Sequence, residues 1–275
     1  MNKQQIHDAT LTSFIKTIWD FYQQHGRSFA WRHVADPYKI VVSEIMLQQT
    51  QTHRVAQKYL SFVTHFPSFE SLAQAPLRDV LLHWQGLGYN RRGKFLHEIA
   101  QKVVNEHKGS LPPSPEVLET FPGIGSATAS SICAFAFNMP TVFIETNIRT
   151  VFIHHFFKGK INIKDIELIP LIQATVDKTK ARDWYYALMD YGVMLKKSMP
   201  NPNRRSAHHT KQSKFEGSDR QIRGIVLRLL TEFPSLYLSE LLSLIDRDAQ
   251  RIEKVLFDLC SEKLILRTED HFSIQ

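Results

Sequence analysis

Apolar residues recur at helical spacing along most of the chain. Between Leu11 and Tyr22 they form one continuous stripe, and Gly26 follows as a residue typical of helix ends. The same period predicts further helices at about 37–62, 70–75, 76–85, 92–107, 114–120, 126–137, 146–157, 165–178 and 181–195. Alternation of the kind that marks strands is nearly absent. The pattern therefore predicts an all-α body with short connections.

Residues 196–214 interrupt this pattern. The segment KKSMPNPNRRSAHHTKQSK contains six Lys or Arg residues, two prolines and no acidic residue. Such a composition predicts an exposed basic loop or linker. We therefore divide the chain into a helical domain at 1–195, a basic loop at 196–216 and a C-terminal module at 217–275.

The C-terminal module has its own succession of predicted elements. Three amphipathic helices, the second with Ser239 as its cap, precede two short strands around a turn. This order resembles a winged helix, a variant of the helix-turn-helix that serves DNA contacts and protein contacts alike. The third predicted helix carries Arg251 and Lys254 but also several acidic residues, so both kinds of contact stay open.

Length and composition narrow the class of protein. The 275 residues suffice for one large domain and a small one, and the hydrophobic share of 43% is ordinary for a globular protein. No apolar run approaches the roughly 20 residues of a membrane span, and the N-terminus lacks the pattern of a secretory signal. These features predict a soluble, cytoplasmic protein. Cys133 and Cys260 lie far apart, which excludes a disulfide framework and a four-cysteine metal site.

The charge is unevenly distributed along the chain. Of the net charge of +7, residues 215–275 contribute −3 and residues 1–214 therefore contribute +10. A basic body of this kind suits a polyanion such as nucleic acid. Charge alone leaves a simple solvated basic surface as an equal alternative.

The stretch FPGIGSATA, at 121–129, predicts a hairpin between two helices. Pro122 sets the turn, and Gly123 and Gly125 permit a crowded or left-handed backbone. Ser126 is suited to cap the helix that follows. Such a turn directs backbone N–H groups outward at a helix N-terminus, where a phosphate oxygen fits. The alternative is a turn that only joins two helices.

Two acidic residues are candidates for chemistry. In DPYKIVVSEIMLQQTQ, at 36–51, Asp36 and Pro37 predict a helix start, and Glu44 lies inside that helix among partly apolar neighbours. Burial there would raise the pKa of Glu44, which suits a general acid, while the alternative is a salt-bridged Glu at a helix edge. In VFIETNIR, at 142–149, Glu145 precedes a pair of residues able to open a helix.

Several strings together resemble a known family. They are WR at 31–32, DPYKIVVSEIMLQQTQ at 36–51, GLGYNRR at 86–92, FPGIG at 121–125 and MDYG at 189–192. Over residues 10–212 the chain resembles the helix-hairpin-helix (HhH-GPD) DNA glycosylases, and most closely the MutY-type adenine DNA glycosylases. The resemblance implies two helical subdomains with an active-site cleft between them.

The resemblance also implies roles for individual residues. Glu44 matches the acid that protonates the departing adenine, and Glu145 stands where the family has Asp, opposite the positive charge that develops on the sugar. Asn147 matches an Asn that orients this second acid. The extra methylene of Glu145 matters because a displacement of about 1 Å can change a rate on the order of a hundredfold. Three outcomes are left open: the backbone has shifted to compensate for the longer side chain, the substrate differs from that of the family, or the site has weak activity.

The remaining implied contacts concern DNA. Gln48 fills the gap left by an extruded base and Tyr89 wedges into the base stack, and such contacts offset the cost of extrusion. The residues implied to line the base pocket are Trp31 and Arg32. The other residues implied to contact DNA are Pro122, Gly123, Ile124, Gly125, Ser126, Arg91 and Arg149.

The chain departs from the family pattern at three places. Ala127 stands where strand-cutting members of the family have a nucleophilic Lys, so hydrolysis by water is expected. MutY proteins usually have Ser or Tyr at this position, and their absence makes adenine less secure as the substrate. A NUDIX-like domain that inspects 8-oxoguanine is replaced by the winged-helix-like module. No cofactor is expected, because the spacing of the family's four iron–sulfur cysteines falls on Lys196, Asn203, Ser206 and Gln212. The basic loop is instead a candidate to follow phosphates.

The expected activity is that of a monofunctional DNA N-glycosylase of base excision repair, acting on adenine opposite 8-oxoguanine or guanine. A uracil or thymine mismatch glycosylase and a non-catalytic binder of damaged DNA are the alternatives. The expected partner is double-stranded DNA with a lesion or mismatch, in the nucleoid. We further expect a monomer, no membrane contact, and a DNA or protein partner for the C-terminal module.

Overall fold

The computed structural model describes residues 3–210 and 213–275, and of residues 3–8 only the helical backbone. In chain order its α-helices are α1 (Lys3–His25), α2 (Pro37–Leu47), α3 (Thr52–His65), α4 (Phe69–Gln74), α5 (Leu77–Trp84), α6 (Arg91–His107), α7 (Pro115–Leu118), α8 (Ser126–Phe137), α9 (Thr146–Phe156), α10 (Asp165–Thr175), α11 (Ala181–Ser198), α12 (Asp219–Glu232), α13 (Leu238–Leu244) and α14 (Ala249–Ser261). The strands are β1 (Leu236–Tyr237), β2 (Ile265–Thr268) and β3 (His271–Ile274), and short 3-10 turns cover Ala30–Arg32 and Pro202–Arg205. The predicted all-α body is confirmed. Across the described ranges, no helix is both long enough and apolar enough to cross a membrane.

One predicted helix is divided into two. The sequence predicts a single helix over 37–62, whereas α2 ends at Leu47 and α3 begins at Thr52. Gln49 between them has a left-handed backbone, with a φ of 52°, and this conformation ends a right-handed helix. The residues between α2 and α3 therefore form a turn, which we call the 48–51 loop.

The chain divides into two compact units, each assembled from distant segments. The first unit comprises residues 1–40, 113–119 and 124–211, and the second comprises residues 41–112, 120–123 and 212–275. The domain boundaries predicted from composition stay predictions.

The first unit is built around α9 and α11, against which α1 packs. Phe14 of α1 lies edge-on to Trp184 of α11, with ring centroids 6.1 Å apart, and 5.2 Å from the ring of Phe152 of α9. Phe152 and Trp184 are fully buried. Burial of these large aromatic side chains holds the three helices together.

The basic segment after α11 is ordered within the first unit. Arg205 donates to the carbonyls of Phe157 and Ile153, at 2.5 and 3.0 Å. These carbonyls lie at the C-terminal end of α9, where a helix attracts a cation. Composition predicts an exposed loop or linker, but this clamp brings part of the segment into the interior. Its buried residues are Pro202, Asn203 and Ser206.

The second unit contains one hydrophobic core that α5 shares with the C-terminal module. Leu77 and Leu81 of α5 are buried in the same cluster as the apolar faces of α12 and α14. Arg78 donates to the Thr231 carbonyl at 2.9 Å, and Gln85 donates to Thr231 Oγ1 at 2.5 Å. The module and α5 therefore depend on a common core.

The C-terminal module has the element order of a winged helix, with α12, β1, α13, α14, β2 and β3 in succession. Its sheet has the order β1–β3–β2 with antiparallel pairs, and Leu236 lies opposite Phe272. The sequence predicts only two strands because β1 has two residues, too few to show a period. Ser239, the predicted cap, lies in the first turn of α13. Tyr237 occupies the N-cap position instead, and its backbone N–H donates to the Glu240 carboxylate at 2.7 Å.

Candidate active site and DNA interface

Glu145 is the N-cap residue of α9, as its place in the sequence suggests. Its Oε1 accepts hydrogen bonds from the Asn147 N–H at 2.7 Å and from the Ile148 N–H at 3.0 Å, while its Oε2 accepts from Asn147 Nδ2 at 3.2 Å. The side chain thus folds back onto its own helix. Three N–H donors fix the orientation of the carboxylate at the positive end of α9.

Helix α11 approaches the first turn of α9 closely. A Cβ at Gly192, the glycine of the MDYG string, would lie 2.6 Å from the Asn147 carbonyl oxygen and 2.8 Å from Asn147 Cβ. A side chain at this position would push the two helices apart. Because position 192 has no side chain, α11 can pack directly against Asn147, the residue that orients Glu145.

Lys196, one turn after Gly192 on α11, adds a positive charge to this part of the first unit. Burial lowers the pKa of Lys196, and attraction to the Glu145 carboxylate opposes that shift. The two groups therefore interact electrostatically, and the ammonium acts on the same carboxylate that α9 holds in place.

Asp190, also in the MDYG string, is a buried carboxylate that holds two arginines. Arg32 donates Nη1 and Nη2 to its two oxygens, each at 2.8 Å, and Arg27 donates its N–H and Nε, each at 2.7 Å. Burial raises the pKa of Asp190, but the hydrogen bonds and charges of Arg32 and Arg27 outweigh that effect and hold the pKa below its ordinary value. The Asp190 carboxylate is therefore charged at neutral pH.

Trp31 and Arg32, the predicted base-pocket residues, lie together in the 3-10 turn Ala30–Arg32. Trp31 is buried and stacks on Phe29, with centroids 4.8 Å apart and planes within 1°. The Arg32 guanidinium lies 4.4 Å from the centroid of the Tyr186 ring. Their contact with a base stays a prediction.

Glu44 lies in the third turn of α2. Asp36 Oδ1 accepts from the Tyr38 N–H at 3.0 Å, which caps the helix as the sequence predicts. Glu44 is half-buried, and both Ser43 and Ile45 beside it are buried. The partly apolar surroundings expected for Glu44 are therefore present, and its role as general acid stays a prediction.

Arg92 ties two loops of the second unit together. The first is the 48–51 loop, and the second is the turn between α5 and α6, which we call the 86–90 loop. Burial lowers the pKa of Arg92 to about 10, so the guanidinium is protonated at neutral pH. The carbonyl oxygens that accept its hydrogen bonds belong to Ile45, Met46, Gln48, Leu87 and Gly88.

Gln48 and Tyr89, the predicted gap-filling and wedge residues, lie on these two loops. Gln48 Nε2 donates to the Gly123 carbonyl of the hairpin at 3.2 Å. Tyr89 is 38% exposed and has a left-handed backbone, with a φ of 47°. This conformation is uncommon for a bulky residue and indicates local strain. Within the second unit, the two side chains are thus carried by loops that Arg92 clamps.

The FPGIG hairpin enters α8 without a side-chain cap. Gly123 has a φ of 72°, and a Cβ there would lie 2.4 Å from the Phe95 ring. Ser126, predicted as the cap, is instead the first residue of α8, because Gly125 takes the extended conformation of the cap position. Gly125 at the N-cap offers no side-chain hydrogen bond to α8, and a helix N-terminus of this kind suits an external anion. The contacts of the hairpin with phosphate stay predictions.

The two other predicted DNA contacts differ in their surroundings. Arg91 is exposed, and its guanidinium lies 5.0 Å from the centroid of the Phe95 ring. Arg149 forms two hydrogen bonds of 2.7 Å with the carboxylate of Asp165, and its side chain is only 12% exposed. That pair has a structural role within the first unit. Contacts of both arginines with DNA stay predictions.

The residues at the iron–sulfur spacing do not fit a cluster. Lys196 presents an ammonium, Asn203 a carboxamide and Ser206 a hydroxyl, whereas a cluster requires thiolates. Gln212 lies outside the described residues. In the part of the chain that the structure describes, no group of three His, Cys, Asp or Glu residues is placed to hold a metal ion.

Sequence reasoning missed three arginines and one acid that make structural contacts within the two units. They are Arg27, Arg92, Arg205 and Asp190. A signal existed for Arg92, since helical spacing places it on the same stripe as Leu96, Ile99 and Val103 of α6, where a lone Arg suggests a buried structural role. For the others no local pattern indicates the partner, because the contacts join distant segments.

Comparisons with known proteins agree on one family. Residues 42–168 match the HhH-GPD superfamily base excision DNA repair protein model. An adenine DNA glycosylase of Mycobacterium tuberculosis is 30% identical over 280 residues, which cover 91% of this chain and 89% of that protein. One of Buchnera aphidicola is 33% identical over 200 residues, and here the match covers 70% of this chain and just over half, 56%, of the relative.

A solved structure supports the same fold. A thermostable thymine-DNA glycosylase matches with a TM-score of 0.64 at 25% identity, over 71% of this chain and 92% of that one. The resemblance predicted from the motifs is thereby confirmed. The chain belongs to the HhH-GPD superfamily of base excision DNA repair proteins.

Proposed function

We propose that this protein is a monofunctional DNA N-glycosylase that extrudes adenine opposite 8-oxoguanine or guanine and hydrolyses its glycosidic bond. Membership of a base excision DNA repair family makes DNA its partner in general. The adenine assignment draws support from relatives named adenine DNA glycosylase. The observation that carries the proposal is the Glu145 carboxylate, fixed at the N-terminus of α9 by two backbone N–H groups and Asn147.

The proposed chemistry divides the work between two carboxyl groups. Glu44 donates a proton to the departing base, a task that its half-buried place on α2 favours. The Glu145 carboxylate stabilises the positive charge that develops on the sugar. Asn147 holds Glu145 in its position through its side-chain hydrogen bond, and Lys196 adds a positive charge that acts on the same carboxylate. Neither residue takes part in bond breaking.

Water is the nucleophile in this scheme. Ala127, in the first turn of α8, has no amine that could attack the sugar. The N-glycosidic bond breaks as the base takes the proton of Glu44, and the water oxygen bonds to the anomeric carbon and loses one proton to bulk solvent. The product is an abasic site with both DNA strands intact. The protein works as a monomer on duplex DNA in the nucleoid, and the C-terminal module takes a DNA or protein partner.

Single-turnover assays on a panel of lesion-bearing duplexes test the proposal, with alkali to reveal abasic sites. We expect release of adenine opposite 8-oxoguanine or guanine, and no strand cleavage before alkali. Glu44→Gln should abolish release and leave DNA affinity unchanged. Unchanged release by that variant would remove Glu44 from its role. Tight binding without release from any duplex would favour a non-catalytic binder of damaged DNA.

A second candidate activity is removal of thymine or uracil from mismatches with guanine. Two observations favour it: the structural match to a thymine-DNA glycosylase and Ala127 at the position where Ser or Tyr is expected for adenine. The same panel decides between the two. Release of thymine or uracil at a higher rate than adenine would replace the first assignment.

A further inference from the structure

Tyr89, the predicted wedge, is contacted at its hydroxyl by a residue of the C-terminal module. Arg220, in the first turn of α12, donates from Nη1 to the Tyr89 hydroxyl at 3.2 Å. This hydrogen bond joins residues that lie 131 positions apart in the sequence, and both belong to the second unit. The module therefore reaches the side chain that is predicted to enter the base stack.

Arg220 is itself fixed by the segment that precedes α12. Its Nη2 donates to the Ser213 carbonyl at 2.7 Å, to Ser213 Oγ at 3.1 Å and to the Lys214 carbonyl at 3.4 Å. Its guanidinium also lies 5.9 Å from the centroid of the Phe215 ring. Because the guanidinium is rigid and planar, these contacts at Nη2 also fix the direction in which Nη1 meets Tyr89.

The face of the Tyr89 ring is held by a second arginine. The Arg92 guanidinium lies 5.4 Å from the centroid of this ring, a distance at which a cation attracts an aromatic face. Arg92 also donates to the carbonyls of Leu87 and Gly88 in the same loop, at 3.4 and 3.0 Å. The ring and the hydroxyl of Tyr89 are thus held by different arginines, although the side chain is 38% exposed.

The module also holds the start of the 86–90 loop. Gln85, the C-cap residue of α5, donates from Nε2 to Thr231 Oγ1 at 2.5 Å, and Thr231 is buried in α12. Leu81, one turn earlier on α5, is buried in the core that α5 shares with the module. Both the origin of the loop and the tip of its tyrosine are therefore tied to α12.

These contacts matter because the backbone of Tyr89 is strained. Its φ of 47° is uncommon for a bulky residue, and such a conformation persists only where surrounding contacts hold it. A side chain that inserts between bases also loses rotational freedom, and the loss on binding is smaller if the side chain is already held in place. The hydrogen bond from Arg220 serves both purposes in the free protein.

We propose that Arg220 is a positioning residue for the wedge. It holds the Tyr89 side chain ready to enter the base stack, and it thereby raises the fraction of bound DNA in which the target base is extruded. The inference rests on the proposed function, because it presupposes extrusion. Arg220 contacts no base in this scheme, and the C-terminal module acts on extrusion only through its support of Tyr89.

Fluorescence of a base at the target position tests this inference on the intact protein. The duplex carries 2-aminopurine on a 2′-fluoro sugar, opposite guanine. The fluorine makes the glycosidic bond resist hydrolysis, and the fluorescence of the base rises when it leaves the stack. The signal is read at saturating protein, so that it reports extrusion and not affinity. Arg220→Met and Tyr89→Phe should each lower the extrusion equilibrium constant about two- to tenfold, the range that one hydrogen bond contributes to an equilibrium.

A double-mutant cycle isolates the contact between the two side chains. The variant with both Arg220→Met and Tyr89→Phe should extrude the base as well as either single variant does, because both changes remove the same hydrogen bond. Arg228→Met, at an exposed position of α12, is the control and should extrude like wild-type protein. All these side chains reach solvent, so the thermal unfolding midpoint should stay that of wild-type protein.

Three results would overturn the inference alone. Wild-type extrusion by Arg220→Met, in a series where Tyr89→Ala abolishes the signal, would show that the wedge works without support from the module. Higher extrusion by Arg220→Met would mean that the contact restrains the wedge. Additive losses in the double variant, with Arg220→Met also weakening the binding of a fully matched duplex, would assign Arg220 to a DNA phosphate.

Failure of the proposed function gives different results. The absence of any fluorescence rise with wild-type protein would overturn the proposed extrusion and the inference together. A rise that depends on Arg220 as expected, without release of any base in the turnover assay, would refute the proposed chemistry and support the positioning role.

Discussion

At the scale of single residues, Glu145 caps helix α9 and also presents the carboxylate that we propose for the chemistry. Its Oε1 accepts hydrogen bonds from the Asn147 and Ile148 N–H groups, while its Oε2 accepts one from the Asn147 side chain. The glutamate is accommodated without extending away from the helix, because it bends back to the donors that a shorter cap would use. A site arranged around this longer side chain is therefore sensitive to its length.

Glu145→Asp should separate these two tasks. Aspartate is also a favourable N-cap, so the free energy of unfolding should change by less than about 0.5 kcal/mol. The carboxylate would shift by about 1 Å, and the single-turnover rate of base release should fall on the order of a hundredfold. Chemical denaturation and the turnover assay measure the two effects. A faster variant would instead show that glutamate is a handicap at this position.

Asp190 predicts a specific dependence of stability on acid. Its pKa is lower in the folded protein than its ordinary value of 3.8. Its ion pairs therefore stabilise the fold fully at pH values above that ordinary pKa, and the contribution is lost as the pH falls through the folded pKa. Urea unfolding of wild-type protein between about pH 7 and pH 2 should show this loss at the acidic end.

Asp190→Asn provides the matching variant. It leaves the arginines Arg27 and Arg32 with an uncompensated charge, so unfolding at neutral pH should become easier by about 3–5 kcal/mol. Its acid dependence should be correspondingly shallower. Asp20→Asn is the control, because the exposed Lys16–Asp20 pair should contribute less than about 1 kcal/mol. Equal effects of the two substitutions would contradict the buried role of Asp190.

At the scale of elements, the contact between α9 and α11 decides how the first unit presents Glu145. Gly192 brings α11 within van der Waals distance of Asn147, and Asp190 on the same helix holds Arg27 and Arg32. One helix thus supports both the predicted acid and the predicted base-pocket residues of this unit.

Gly192→Ala should disturb this contact. Its new methyl would overlap the Asn147 carbonyl, so the protein should lose about 1–3 kcal/mol of unfolding free energy. Base release should slow as well, because Asn147 orients Glu145. Gly224→Ala in α12 is the control, since no atom beyond its own helix backbone and chain neighbours lies within 4 Å of the added Cβ and alanine favours helices by about 0.5–1 kcal/mol. Wild-type stability of Gly192→Ala would refute the close packing.

Elements with a long apolar period could be predicted from the sequence, and contacts between distant segments could not. Helices such as α6 and α11 follow from their apolar stripes, and Glu145 could be assigned to a helix start from its neighbours alone. The break between α2 and α3 at Gln49 could not be predicted from the sequence. The turn is held by Arg92, which lies 43 residues further along the chain. The buried part of the basic segment was missed for the same reason, since Arg205 finds its acceptors on α9.

At the scale of the whole molecule, the C-terminal module is a component of the second unit's core. Leu77 and Leu81 of α5 belong to the cluster that α12 and α14 complete. The sequence indicates the winged-helix order but gives no sign of this union, because the segment before the module has the composition of a linker.

A shared core predicts cooperative loss of structure. Removal of residues 217–275 should expose Leu77 and Leu81 and lower the thermal unfolding midpoint of the remaining second unit, with aggregation on heating. Leu81→Ala in the full chain should cost about 2–5 kcal/mol, whereas Leu244→Ala, 54% exposed, should be nearly neutral. Calorimetry and light scattering measure these effects. An unchanged midpoint after truncation would show that the module is dispensable for the fold.

The shared core also has a consequence for synthesis on the ribosome. Helix α5 leaves the exit tunnel long before α12 and α14, which must cover its apolar face. Leu77 and Leu81 therefore stay uncovered during most of translation, and nascent chains that stop early present them to chaperones and proteases. Cellular quality control would thus remove incomplete copies that still carry the acids at 44 and 145.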